Sequence, residues 1–161
     1  MNVNLSLLYT DSIAPTYATE GSGAFDFYAH EYAQASYGQP AVIGTGVAME
    51  IPPQHSLLVF SRSGHGFKHN VRLSNCVGVI DSDYRGEIFV KLTLDAPSYL
   101  TSFPVQKGDR IAQGLIVYTP KIKFTEVKTL SETKRGSLGL GSTGGVSAAV
   151  DLTGQAFKDQ A

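Results

Sequence analysis

Apolar residues in this chain come in short β-branched runs cut apart by glycine and proline, and no stretch sustains a long helical period. That punctuation limits the possible folds more than any other feature. The runs fall at 3–9, 24–28, 41–51, 56–61, 71–81, 87–94, 110–118 and 122–127. Short strands at such spacing bury their apolar faces only by packing together, which predicts an all-β sandwich or barrel. The 17 glycines and 7 prolines scattered between the runs supply the turns. One short helix is expected over 63–69, weakened by Gly64 and Gly66.

A length of 161 residues suits one domain with a real core. Residues 1–134 carry the strand pattern, and 135–161 read as the flexible C-terminal arm and tail of the same domain. Between 136 and 145 glycine, serine and threonine dominate, a composition with little to bury until something orders it. Residues 146–161 show no clear period. A net charge of -1 offers no broad positive field, so neither a nucleic-acid nor a membrane surface is expected. A small anion held by a few arginines remains compatible with it. No run is long enough to span a bilayer and the first nine residues do not resemble a leader, so a cytoplasmic location is expected. The single Cys76 rules out an internal disulfide and fits a reducing compartment. Lying in an apolar run, it reads as core filler rather than as a nucleophile.

Chemistry concentrates in 75–86, Asn-Cys-Val-Gly-Val-Ile-Asp-Ser-Asp-Tyr-Arg-Gly. Gly78 inside a strand pattern marks a bulge, a bend or a close approach to the backbone. A strand continuing through Ser82 would point Asp81 and Asp83 to one face, where mutual repulsion raises one pKa and suits a general base. An acidic hairpin on a solvated edge accounts for the same residues equally well. Asp26, between two aromatics, either pairs with an arginine or serves a site. Arg62-Ser63-Gly64, at a strand end where a helical turn begins, makes a phosphate cradle or a plain Ser63 N-cap. Gln113 lies in an apolar strand, where its amide must find partners. The stretch from Arg135 to Gly144 combines free backbone N–H groups with Ser142 and Thr143, yet lacks the ending of a Walker loop. Histidines 30, 55, 65 and 69 have no metal-ligand spacing, and the glycines between His65 and His69 argue against a rigid helical pair. A phosphoanhydride hydrolase with a carboxylate base and a divalent cation, and a non-catalytic phosphate-binding module, both fit these residues.

Taken in order, these blocks resemble the trimeric dUTPase family from Pro15 to about Gly145. The closest matches are Arg62-Ser63-Gly64, the run from Gly78 to Gly86, the run from Gly108 to Gln113, and Arg135 with the run ending at Gly144. The resemblance implies a jelly-roll-like β fold, a homotrimer with active sites shared between chains, and dUTP as substrate. It implies Asp81 as the base for the attacking water and Gln113 as a contact to phosphate and ordered water. Arg62, Ser63 and Gly64 would bind phosphate. Asn75 and the backbone of Gly78, Val79 and Ile80 would read uracil, with Tyr84 packed under the sugar. Arg135, Leu140, Gly141, Ser142 and Thr143 would close over the nucleotide. Mg2+ would be held by the triphosphate, with Asp26 reaching it through water. Leu140 stands where the family carries an aromatic, which forfeits base stacking of ~1 kcal/mol. Ser61 replaces a common proline, a difference expected to matter to the backbone only. A dCTP deaminase-like enzyme and a catalytically weak nucleotide-binding regulatory trimer are the alternatives within this fold.

Overall fold

The computed structural model describes residues 1–95 and 101–139. Met1–Ile122 form one compact unit and Lys123–Ala161 a second. The first unit holds every strand among the described residues. They are β1 (Asn4–Leu7), β2 (Thr16–Tyr17), β3 (Phe25–Tyr28), β4 (Ala33–Ser36), β5 (Ala41–Gly44) and β6 (Val47–Glu50). After them come β7 (His55–Phe60), the helix α1 (Ser63–His69), β8 (Val71–Leu73), β9 (Val77–Ile80), β10 (Phe89–Leu94), β11 (Ser102–Val105) and β12 (Arg110–Tyr118). The largest sheet runs β2-β3-β12-β7-β9, and smaller ones pair β5-β10-β8, β1-β6 and β11-β4. All of the pairings between named strands are antiparallel.

Alternation explains the core. On β10, Val90, Leu92 and Leu94 are buried while Phe89 and Lys91 face outward. Together with Phe27, Ile43, Leu57, Leu73 and Ile111 they fill one continuous apolar interior.

Two expected runs are each broken by a residue in the left-handed backbone region. The 41–51 run becomes β5 and β6 because Gly46 turns at φ 69. The 71–81 run becomes β8 and β9 because the chain reverses at Asn75-Cys76, with Cys76 at φ 62. Cys76 is therefore exposed in a turn and is not core filler. The 122–127 run carries no strand; Ile122 and Phe124 are 70% and 87% exposed. The expected helix forms over Ser63–His69 despite its glycines, and ends at Asn70 in the left-handed conformation (φ 54). Arg62, not Ser63, is its N-cap, without a side-chain cap bond. No helix among the described residues is long and apolar enough to cross a membrane.

Candidate nucleotide site

Register across three strands builds the first part of the site. Asp26 on β3 lies opposite Gln113 on β12, and Gln113 lies opposite Phe60 on β7. The residues that follow Phe60 therefore pass over Asp26. Arg62 Nε donates to Asp26 Oδ1 at 3.0 Å and Arg110 Nη1 donates to Oδ2 at 3.3 Å. Arg62 Nη1 also donates to the Arg110 carbonyl at 3.2 Å. One buried carboxylate thus sits between two guanidinium groups, leaving a surplus positive charge. That surplus is partly solvated, since the Arg62 and Arg110 side chains are 26% and 46% exposed. It is suited to a phosphate, which guanidinium groups bind in a fixed fork geometry.

Gln113 Nε2 donates to the Ser61 carbonyl at 3.0 Å, so its amide ties β12 to the turn that carries Arg62. Ser61 does more than replace a proline: its Oγ accepts the Leu73 N–H at 2.9 Å, joining the end of β7 to β8. Beside Arg62 and Arg110 lies a cleft of about 280 Å³ that also contains His65, His69 and Asp109. Both imidazoles pack on Phe103, with ring centroids 5.1 and 5.4 Å away, so α1 does present its two histidines to one neighbour. Burial, the Arg62 charge and His69 together push the His65 pKa down from 6.5 to about 4. His65 is therefore neutral at neutral pH and adds no charge to the anion-binding face.

The second part is the ribbon of β9, an edge strand with Val79 61% exposed. Asn75, Gly78, Val79 and Ile80 line one cleft of about 290 Å³ together with Phe89 and Lys91. Gly78 is buried against β7, where an added Cβ would sit 3.3 Å from Val59 Cβ and 3.7 Å from Asn75 Nδ2. A side chain here would press on Val59, while its contact with the Asn75 amide would be an ordinary one. This is a close approach, the role a glycine in a strand pattern signals.

β9 stops at Ile80, so strand alternation does not set the directions of Asp81 and Asp83. Both are exposed in a turn closed by Tyr84 N–H donating to the Asp81 carbonyl at 3.2 Å. Arg85 Nη1 fastens this turn from within, donating to the Ser82 and Tyr84 carbonyls at 2.7 and 3.0 Å. Asp81 and Asp83 share a cleft of about 290 Å³ with His55, Ser56, Thr119 and Lys121.

Within one chain these parts stand apart. Ile80 pairs with Leu57 and Val77 with Phe60, which puts Asp81 level with Ser56 at the start of β7. Arg62 lies beyond the other end of that strand. At roughly 3.3 Å per residue the separation is about 20 Å. Asp81 thus lies at one end of β7, and Asp26, Arg62, Ser63, Gly64 and Gln113 lie at the other, with the ribbon from Asn75 to Ile80 running between them.

In the second unit, Arg135 Nε donates to its own turn at the Leu138 carbonyl, 3.0 Å away. Leu140, Gly141, Ser142 and Thr143 lie outside the described residues. Arg110 and Ser61 were not singled out from the sequence as site residues. A buried aspartate between aromatics demands a cation, and Arg110 was the nearest unassigned arginine in the 107–114 block.

A cleft on a glycine-bearing ribbon, an exposed carboxylate turn beyond its end and a guanidinium cluster, on an antiparallel framework, mark a jelly-roll-like β protein suited to a phosphorylated ligand. A dUTPase family model matches residues 10–144. A deoxyuridine 5'-triphosphate nucleotidohydrolase from Helicobacter pylori is 38% identical over 144 residues, covering 89% of this chain and 97% of the relative. Its counterpart from Clostridium acetobutylicum is 40% identical, covering 88% and 97%. Among solved structures, a Staphylococcus phage 80alpha dUTPase variant with dUpNHpp superimposes with a TM-score of 0.82 at 25% identity, covering 89% of this chain and 98% of that one. The dUTPase of Staphylococcus phage phi11 shares the fold, with a TM-score of 0.74 at 22% identity over 83% of this chain and all of that one. This chain belongs to the dUTPase family.

Proposed function

We infer that the chain hydrolyses dUTP to dUMP and pyrophosphate. The observation that carries this is the ribbon cleft of Asn75, Gly78, Val79 and Ile80, on a strand whose next residue is Asp81, in a chain of this family. Uracil would pair with the Asn75 amide and the ribbon backbone. Cytosine offers the opposite donor pattern and would leave buried groups unpaired. Tyr84 would lie under the deoxyribose and leave no room for a 2′-hydroxyl.

Asp81 takes the proton of a water that attacks the α-phosphorus in line. The new P–O bond forms as the bond to the bridging oxygen breaks, and pyrophosphate leaves with the electron pair. Arg62, Ser63, Gly64 and Gln113 would hold the phosphates, so that positioning and charge stabilisation provide most of the acceleration. Arg135, Leu140, Gly141, Ser142 and Thr143 would close the site from the arm.

Because about 20 Å of strand separates Asp81 from Arg62 in one chain, both can touch one triphosphate only if different copies supply them. A homotrimer with shared sites meets that need.

Among the described residues no group of three or more His, Cys, Asp and Glu side chains could hold a metal ion. Both Asp26 oxygens already accept from arginines. Mg2+ would arrive on the triphosphate, meet Asp26 only through water, and supply neutralisation of phosphate charge. The exposed Cys76 thiol is in keeping with a reducing, cytoplasmic setting. The test is product analysis: pyrophosphate from dUTP is expected, with no ammonia from dCTP. Ammonia release, or nucleotide binding without turnover, would contradict the assignment.

A further inference from the structure

Glu87 is gripped at both its side chain and its main chain. Its Oε1 accepts the Gly46 N–H at 2.7 Å, and its Oε2 accepts the Tyr9 hydroxyl at 3.4 Å. The chain makes room for this carboxylate. A Cβ on Gly44 would lie 2.5 Å from Glu87 Oε1, and Gly46 takes the left-handed backbone that aims its N–H. Tyr9 is itself fixed by stacking on His30, with centroids 4.1 Å apart and planes 13° apart.

The carbonyl of the same residue faces the recognition turn. It accepts the Tyr84 hydroxyl at 2.9 Å. The Tyr84 ring lies over Gly86, where a Cβ would come within 2.5 Å of the phenol oxygen. The next residue, Ile88, is locked as well, its N–H donating to the Val47 carbonyl at 2.9 Å. The Glu87 carbonyl therefore cannot shift without disturbing the junction of β5 and β6.

We propose that Glu87 is a positioning residue that sets Tyr84 against the sugar, so that preference for deoxyribose is fixed from the body of the jelly roll. This rests on the functional reading above, in which Tyr84 packs under the sugar. A carboxylate that acted only as a strut would affect both nucleotides alike. One that positions Tyr84 affects chiefly the comparison between dUTP and UTP.

The experiment measures kcat/KM for dUTP and for UTP with the full chain and three variants. Glu87→Ala is expected to lower the dUTP:UTP ratio about tenfold, as a specificity contact does when it loosens. Glu87→Gln keeps an oxygen for the Gly46 N–H and is expected to retain most of the ratio. Gly44→Ala leaves Glu87 in the sequence but displaces its carboxylate, and is expected to reproduce the loss. Should Glu87→Ala not fold, Gly44→Ala decides by the same ratio. An unchanged ratio in the alanine variants, even with lower activity on both nucleotides, overturns the proposal alone. A wild-type chain that does not hydrolyse dUTP overturns the functional reading and this proposal with it.

Discussion

Asp81→Asn is expected to bind a non-hydrolysable dUTP analogue as the wild type does while turning over dUTP about a thousandfold more slowly. Asparagine keeps the shape of the side chain, so the turn closed by Tyr84 and Arg85 should survive. Those contacts use main-chain carbonyls and do not involve the Asp81 carboxylate. What the amide cannot do is accept a proton from water at neutral pH. Its cost should therefore appear in kcat and not in binding, the pattern of an interaction made only in the transition state. Steady-state kinetics beside a calorimetric titration of the analogue separates the two effects. Turnover within a few fold of wild type would remove Asp81 from the role of base.

The second large effect belongs to Asp26. Alanine at this position leaves two guanidinium groups facing each other across the space the carboxylate filled. Removing one partner of a fully buried ion pair costs roughly 3–5 kcal/mol. Here the two arginine side chains retain 26% and 46% of their exposure, so water still solvates part of each. A loss of about 2–3 kcal/mol in unfolding free energy is the expected result. It should be measured by chemical denaturation at one fixed protein concentration. Phosphate affinity should fall with it, because Arg62 loses the bond that fixes its direction. Asp26→Asn, which keeps an acceptor without the charge, is expected to restore part of the stability. A loss below about 0.5 kcal/mol, the range of an ordinary surface substitution, would show that Arg62 and Arg110 are held by other contacts.

Much of this was legible in the sequence, for identifiable reasons. Strands with strong alternation or dense β-branching, such as Phe89–Leu94 and Arg110–Tyr118, declared themselves. So did α1, where the sequence places a small-residue turn after a strand. Ala33–Ser36 did not, because Ala-Gln-Ala-Ser has no pattern of its own and is a strand only through pairing with Ser102–Val105. The reversals at Gly46 and Cys76 were hidden inside apolar runs, since a single left-handed residue leaves little trace in composition. In the opposite direction, 122–127 has strand-like residues and no strand, because a ladder needs a partner that the described residues do not provide.

The site followed the same division. Asn75, Gly78, Val79 and Ile80 are local in sequence, and they do line one cleft. The bond from Arg110 to Asp26 joins residues 84 positions apart and exists only through the pairing of β3 with β12. No spacing rule reaches that far. The shared-face argument for Asp81 and Asp83 assumed two more residues of strand than β9 possesses.

Division of labour between copies can be tested by mixing. Asp81→Asn chains and Arg62→Ala chains, each nearly inactive alone, would be unfolded together and reassembled in equal amounts. If each site takes its base from one copy and its guanidinium from another, random reassembly restores about a quarter of the wild-type dUTPase activity. A mixture no more active than its two components would place both residues in the same chain's site and contradict the account.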